Sequence, residues 1–212
     1  RERAGIPQEA TVLLYAGRIS PEKNIPLLVD MMEQLSNDHD RDYRLLVAGA
    51  GPLEQWLKDE GDKRANGRIV QFGHIDKETL SNYYANADVF VHPNPREPFG
   101  IAPLEAMASG VATVAPNGGG ILSYATADNM WLVEPNGNDF AIAVREIMGN
   151  EAERERRITN AVGTALANTR EASTDRLLDT YETMYADFRE RNDLFTNREA
   201  TKDVNYLEFI DV

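Results

Sequence analysis

Six short, nearly continuous apolar runs recur along this chain: Thr11 to Ala16, Tyr43 to Ala48, Ile69 to Phe72, Val89 to His92, Val111 to Ala115 and Trp131 to Val133. An apolar run with no polar alternation describes a strand covered on both faces, and a sheet is covered on both faces when helices cross over between parallel strands. Helical patterns lie where those crossovers are needed, at Pro26 to Ser36, Leu53 to Glu60, Lys77 to Ala85 and Ala102 to Ser109, with Asp139 to Met148 after the last strand. The expected class is therefore α/β, a doubly wound, mainly parallel six-stranded sheet of Rossmann-like type. Two more helices are expected around Glu151 to Ala167 and Thr174 to Arg189. The second carries Leu177, Leu178, Tyr181, Met184, Tyr185 and Phe188 on one face.

A length of 212 residues suits one domain with a full core, expected over 1–191. Residues 192–212 are polar up to Tyr206, Leu207, Phe209 and Ile210 and read as a C-terminal tail. The first strand begins at Thr11, so the chain reads as a domain cut from something larger. No apolar run approaches the roughly 18 residues that span a bilayer. The N-terminus lacks the apolar core of a signal peptide, and the absence of cysteine excludes disulfides and thiolate metal sites, so the cytoplasm is the expected location. A net charge of −13 argues against a broad nucleic-acid-binding face. Any phosphate bound here must be met locally, and with only five lysines among 22 basic residues each lysine is worth placing.

In an open parallel sheet, ligands bind outside the carboxyl ends of the strands. The first such exit runs Gly17, Arg18, Ile19, Ser20, Pro21, Glu22, Lys23, Asn24. Two cations on a short loop before a helix suit a pyrophosphate, Arg18 as a fork of donors and Lys23 as a point charge; solvated loop charges are the plainer alternative. The second exit, Gly49 to Pro52, is small enough for the close approach of a ligand or of another backbone. At the third, backbone groups of Gly73, His74 and Ile75 could meet the edge of a nucleobase, while the His74 side chain reads equally as an exposed loop residue.

The fourth exit is the most specific. Pro93, Pro95 and Pro98 stiffen an extended loop, Gly100 removes side-chain bulk, and a helix begins near Ile101. Backbone N–H groups at Gly100 and Ile101 would then face an anion with the helix dipole behind them. Glu105 falls about five residues into that helix, roughly 7 Å along its axis, a plausible phosphate-to-ribose separation. A carboxylate only accepts hydrogen bonds, and a ribose diol offers two donors side by side. Glu97 precedes the helix, where it could meet hydroxyls of a sugar. Leu104, Met107 and Ala108 read as core.

In this order the motifs GRISPEKN at 17–24, GAGP at 49–52, Phe-Gly at 72–73, ADVFVHP at 87–93 and EPFGIAPLEAMASG at 97–110 resemble the nucleotide-sugar-binding domain of group 1, or family 4, retaining glycosyltransferases of the GT-B fold. The resemblance covers roughly residues 10–190. It implies that this chain is the donor-binding half of such an enzyme and that the N-terminal acceptor domain is absent from it. It further implies that Gly17, Arg18 and Lys23 meet the donor diphosphate, that Glu105 holds the ribose, and that Glu97 contacts the transferred sugar. Phe99, Gly100 and Ile101 would fix the β-phosphate through their backbone. Glu97, Arg18 and Lys23 would then be the catalytic residues, in a transfer that retains configuration and needs no metal and no cofactor beyond a UDP- or GDP-sugar donor. Membrane association, at the inner face, would come through the missing parts or a lipid acceptor.

Two departures stand out. Where the family has a Gly-Gly loop and an acidic residue, this chain has Gly118, Gly119 and Gly120 followed by Ile121, Leu122, Ser123 and Tyr124. Where the family has a Gly-rich turn, it has Asn129, Met130 and Trp131. A non-catalytic nucleotide-sugar-binding module is the alternative, against which intact Arg18, Lys23, Glu97 and Glu105 speak. An NAD-dependent oxidoreductase would need a three-glycine fingerprint that Gly17-Arg18-Ile19 does not supply.

Overall fold

A computed structural model of the chain describes residues 5–191. The chain divides into two compact units, Arg1–Leu166 and Ala167–Val212. The first unit holds a six-stranded sheet in which every pairing is parallel. Its strands are β1 (Thr11–Ala16), β2 (Tyr43–Ala48), β3 (Ile69–Gly73), β4 (Val89–Val91), β5 (Ala112–Pro116) and β6 (Trp131–Val133). Their spatial order is β3-β2-β1-β4-β5-β6, so the direction of winding reverses between β1 and β4. Ligands in such sheets bind at that reversal.

The helices are α1 (Ile25–Leu35), α2 (Glu54–Arg64), α3 (Lys77–Ala85), α4 (Ile101–Ala108), α5 (Gly137–Gly149) and α6 (Glu151–Ala167). Side chains of β1 alternate between the two cores because successive residues of a strand point to opposite faces. Leu13 and Tyr15 join Leu28, Met31 and Leu35 of α1 and Phe140 and Val144 of α5. Val12, Leu14 and Ala16 join Tyr84 of α3 and Ala106 of α4. Leu13, Leu14, Leu28, Met31 and Leu35 are all fully buried, each contributing about 1.5–3 kcal/mol of hydrophobic stabilisation.

Local chemistry moved several element ends. The second helix runs on to Arg64, whose guanidinium pairs with Asp30 at 2.8 Å and also with Glu33, joining it to α1. The fifth begins at Gly137, two residues before Asp139, because Asn136 caps it: the Asn136 side chain accepts from the Asp139 N–H at 2.9 Å. In the second unit, α7 (Arg170–Glu190) starts earlier than Thr174 for the same reason, Thr169 accepting from the Ala172 N–H at 3.2 Å. No residue of α7 is buried. The expected tail, 192–212, lies outside the described residues.

Candidate functional site

Backbone hydrogen bonds join the exits of β1, β2 and β3. The Gly17 N–H donates to Ala48 O at 2.9 Å, Ile19 N–H to Ala50 O at 3.0 Å, and Gly49 N–H to Gly73 O at 2.8 Å. A Cβ on Gly49 would stand 1.8 Å from the Gly17 carbonyl oxygen, and one on Gly51 would stand 2.2 Å from that of Ile19. The small residues of Gly49 to Pro52 therefore admit the first loop's backbone, while Gly49 and Ala50 also line the first of the cavities described below. Over this floor Arg18 is exposed, its guanidinium making no hydrogen bond or ion pair to another described residue. A short 3-10 turn, Pro21–Lys23, turns the loop back, and Asn24 Nδ2 donates to Pro93 O at 3.1 Å, tying the first exit to the fourth.

In the fourth exit three polar side chains surround Glu97. Lys23 Nζ lies 2.7 Å from Glu97 Oε2, Asn94 Nδ2 donates to the same oxygen at 2.8 Å, and His92 Nε2 stands 3.8 Å away. Burial pushes the Glu97 carboxyl up, but Lys23 and Asn94 outweigh it and hold the group below the usual carboxylate range. Burial, against the pull of Glu97 and with the help of Lys23, lowers His92 to about 4, so its imidazole is neutral at physiological pH.

Helix α4 starts from Gly100, whose φ of 90° lies in the left-handed region that favours glycine. Tyr124 holds this turn: its hydroxyl donates to Gly100 O at 2.6 Å and its ring meets Phe99 edge-on at 5.3 Å. Behind the turn, the Gly120 N–H donates to Glu97 O at 2.8 Å, and a Cβ on Gly120 would stand 1.7 Å from the Pro98 carbonyl oxygen. Asn129, in place of the glycine turn, accepts from the Thr126 N–H at 2.8 Å and donates to Tyr124 O and Thr164 Oγ1, each at 2.9 Å. Both departures from the family pattern thus support the fourth exit.

Glu105 is the fifth residue of α4, and its Oε2 accepts from the Tyr84 hydroxyl at 3.2 Å. Burial first, then the Glu105 charge, raises the Tyr84 hydroxyl far above its usual value, so it remains a donor. Met107 is buried and Leu104 packs against a core cluster, but Ala108 is exposed and lines a surface groove with Lys77 and Ser81 of α3 rather than the core.

Two adjoining cavities open at the β1–β4 reversal. One, of about 540 Å³, is lined by Gly17, Arg18, His74, Ile75, Ile101 and Glu105 among others. The other, of about 350 Å³, is lined by Gly17, Arg18, Lys23, His92, Asn94, Glu97, Phe99, Gly100 and Ile101 among others. Of the residues expected to bind the nucleotide sugar, all but Gly73 line one or both; the Gly73 carbonyl is engaged by Gly49. His74 is exposed on the rim of the first cavity. Sequence reasoning missed Tyr84, His92, Asn94 and Tyr124. His92 and Asn94 could have been found from their places beside the prolines of this loop, whereas Tyr84 and Tyr124 act through contacts that sequence spacing does not encode. No group of three or more His, Asp or Glu among the described residues is arranged to hold a metal ion.

The family model described as Glycosyl transferases group 1 matches residues 1–163. An uncharacterized glycosyltransferase of Methanocaldococcus jannaschii is 29% identical over 164 residues, 76% of this chain and 42% of that protein. The GDP-mannose-dependent alpha-(1-6)-phosphatidylinositol dimannoside mannosyltransferase of Mycobacterium tuberculosis is 34% identical over 148 residues, 69% of this chain and 37% of that protein. Among solved structures, sucrose-phosphate synthase from Thermosynechococcus elongatus superposes with a TM-score of 0.75 at 27% identity, covering 88% of this chain and 48% of that one. The chain thus spans about two fifths of the length of these curated relatives.

Proposed function

The chain belongs to the Glycosyl transferases group 1 family, and from that premise we propose that it binds the donor in transfer of a sugar from a nucleoside-diphosphate sugar to an acceptor hydroxyl, with retention of configuration. The observation that carries this reading is the pair of cavities sharing Gly17, Arg18 and Ile101, with Glu105 on one side of the α4 N-terminus and Lys23 with Glu97 on the other. Base and ribose enter the first cavity, the ribose diol donating to Glu105. The diphosphate lies across the start of α4, where helix N–H groups and the exposed Arg18 meet its charge. The transferred sugar enters the second cavity beside Glu97.

During transfer the bond from the anomeric carbon to the diphosphate oxygen breaks as the acceptor oxygen bonds to the same face of that carbon, and the acceptor proton passes to the leaving phosphate. Charge grows on the diphosphate, where Arg18 and Lys23 stabilise it. Side-chain cations thereby fill the role a metal would otherwise take. The acceptor is held by an N-terminal domain of the same enzyme, which works in the cytoplasm. Access to the inner membrane face comes through that domain or through a lipid acceptor, a reading favoured by the mycobacterial relative being a phosphatidylinositol dimannoside mannosyltransferase.

Calorimetric titration of the 212-residue chain with UDP, GDP, UDP-glucose and GDP-mannose tests the site. Glu105→Ala and Arg18→Ala should each weaken nucleotide binding about tenfold or more, the loss of one charge-assisted contact. EDTA should leave binding unchanged. Equal affinity in wild type and both variants would remove these residues from the donor site.

A further inference from the structure

His92 has no part in the donor contacts proposed above, yet it is built into the same wall. Its backbone N–H continues the β4–β5 ladder to Val114 O at 2.9 Å, which fixes its place, and its side chain is only 7% exposed on the lining of the second cavity. Among the described residues, its Nε2 is the one buried side-chain nitrogen or oxygen without a hydrogen-bond partner. That nitrogen lies 3.8 Å from Glu97 Oε2, just beyond hydrogen-bond reach. A neutral imidazole carries one N–H and one lone pair. Facing a carboxylate, the tautomer with the proton on Nε2 is favoured, because a lone pair there would oppose those of the acceptor.

Glu97 Oε2 is held in this structure by Lys23 at 2.7 Å and Asn94 at 2.8 Å. A diphosphate carries more charge than a carboxylate, and Lys23 shares its loop with Arg18. An ammonium drawn toward the diphosphate loosens its bond to Glu97 at the moment when Glu97 must hold a sugar. A shift of about 1 Å would bring Glu97 Oε2 within hydrogen-bond range of the imidazole. We propose that His92 is a positioning residue for Glu97: its Nε2–H is the reserve donor that takes over the carboxylate when Lys23 turns to the donor diphosphate. This inference rests on the donor-site reading above. It also accounts for the buried unpartnered nitrogen, which finds its acceptor in the loaded site.

The test uses the 212-residue chain labelled with 15N-histidine, its three imidazoles followed in long-range proton–nitrogen spectra as UDP or GDP is added. His92 should show the Nε2–H tautomer, and that proton should move downfield on saturation. In calorimetry with whichever nucleotide binds more tightly, His92→Leu should lose fivefold or more in affinity. His92→Gln, which places an amide N–H near the Nε2 position, should stay within twofold of wild type. In a Glu97→Gln background the Leu and Gln variants should bind alike. An imidazole spectrum unchanged on saturation, a His92→Leu chain that binds as wild type does, or an equal loss in the Glu97→Gln background overturns the proposal. If neither nucleotide binds the wild type, the donor-site reading itself fails. Binding with an inert His92 overturns only the present inference.

Discussion

Keeping His92 neutral inside the site makes folding stability depend on pH. In the unfolded chain a histidine titrates near 6.5, and in the fold burial and Lys23 lower His92 to about 4 against the opposing pull of Glu97. Between those values the unfolded chain binds the extra proton and the folded chain does not, so stability is complete above about pH 6.5 and is lost as pH falls toward 4. The loss should reach about 2 kcal/mol by pH 5 and about 3 kcal/mol at pH 4. Urea unfolding of wild type and His92→Gln at pH 7.5 and pH 5 checks the sign: the stability difference between them should shift toward the variant by about 2 kcal/mol on acidification. Parallel curves for the two proteins would show that His92 does not titrate in this window. A glutamine cannot gain a charge, which is why it separates this effect from the titration of Glu97 and other carboxylates.

At the scale of elements, the strands were the most legible part. β1, β2 and β6 run over the ranges their apolar runs mark, because a strand covered on both faces is nearly continuous in apolar residues, with Arg44 of β2 the one charged exception in the three. Helix ends were less so, since α5 and α7 begin where Asn136 and Thr169 cap them and periodicity alone does not register a cap. The stripe on α7 shows another limit: spacing reveals an apolar face but not what covers it, and no residue of that helix is buried. In the site, Arg18, Lys23, Glu97 and Glu105 were legible because strand, loop, glycine and helix follow one another locally. Tyr84 and Tyr124 were not, for they act across folded space, from α3 onto Glu105 and from the segment after β5 onto Gly100. The Gly118 to Gly120 segment gives a test at this scale. A Cβ on Gly120 would meet the Pro98 carbonyl oxygen at 1.7 Å, whereas one on Gly118 would sit 3.8 Å from that of Pro95, an ordinary contact. Gly120→Ala should therefore cost about 2–4 kcal/mol and displace the Glu97 loop, weakening nucleotide-sugar binding in whatever fraction folds. Gly118→Ala should stay within about 1 kcal/mol of wild type with unchanged affinity. Thermal melts and calorimetry on both would decide it, and equal behaviour of the two would mean that the glycine segment does not brace the loop.

Across the whole molecule, the two cations of the candidate site stand in a chain of net charge −13. In the proposed donor complex Arg18 and Lys23 would meet the diphosphate at contact range, but Glu22, Glu97 and Glu105 stand close by, so the field a donor meets at a distance is that of an acidic protein. Long-range repulsion between like charges is screened over about 10 Å at 0.1 M salt, while contacts within the site are much shorter than that length. Salt should therefore relieve the encounter more than it weakens the bound state. In stopped-flow mixing of the 212-residue chain with UDP or GDP, the association rate should rise about two- to threefold between about 20 and 150 mM KCl, with a smaller change in dissociation. A rate that falls with salt would mean that Arg18 and Lys23 already dominate the field at encounter distance. Replacing Arg18 separates the two cases. If net charge governs approach, Arg18→Ala speeds dissociation and leaves the rising salt dependence of association in place; if the local cations govern it, the same change flattens a falling one.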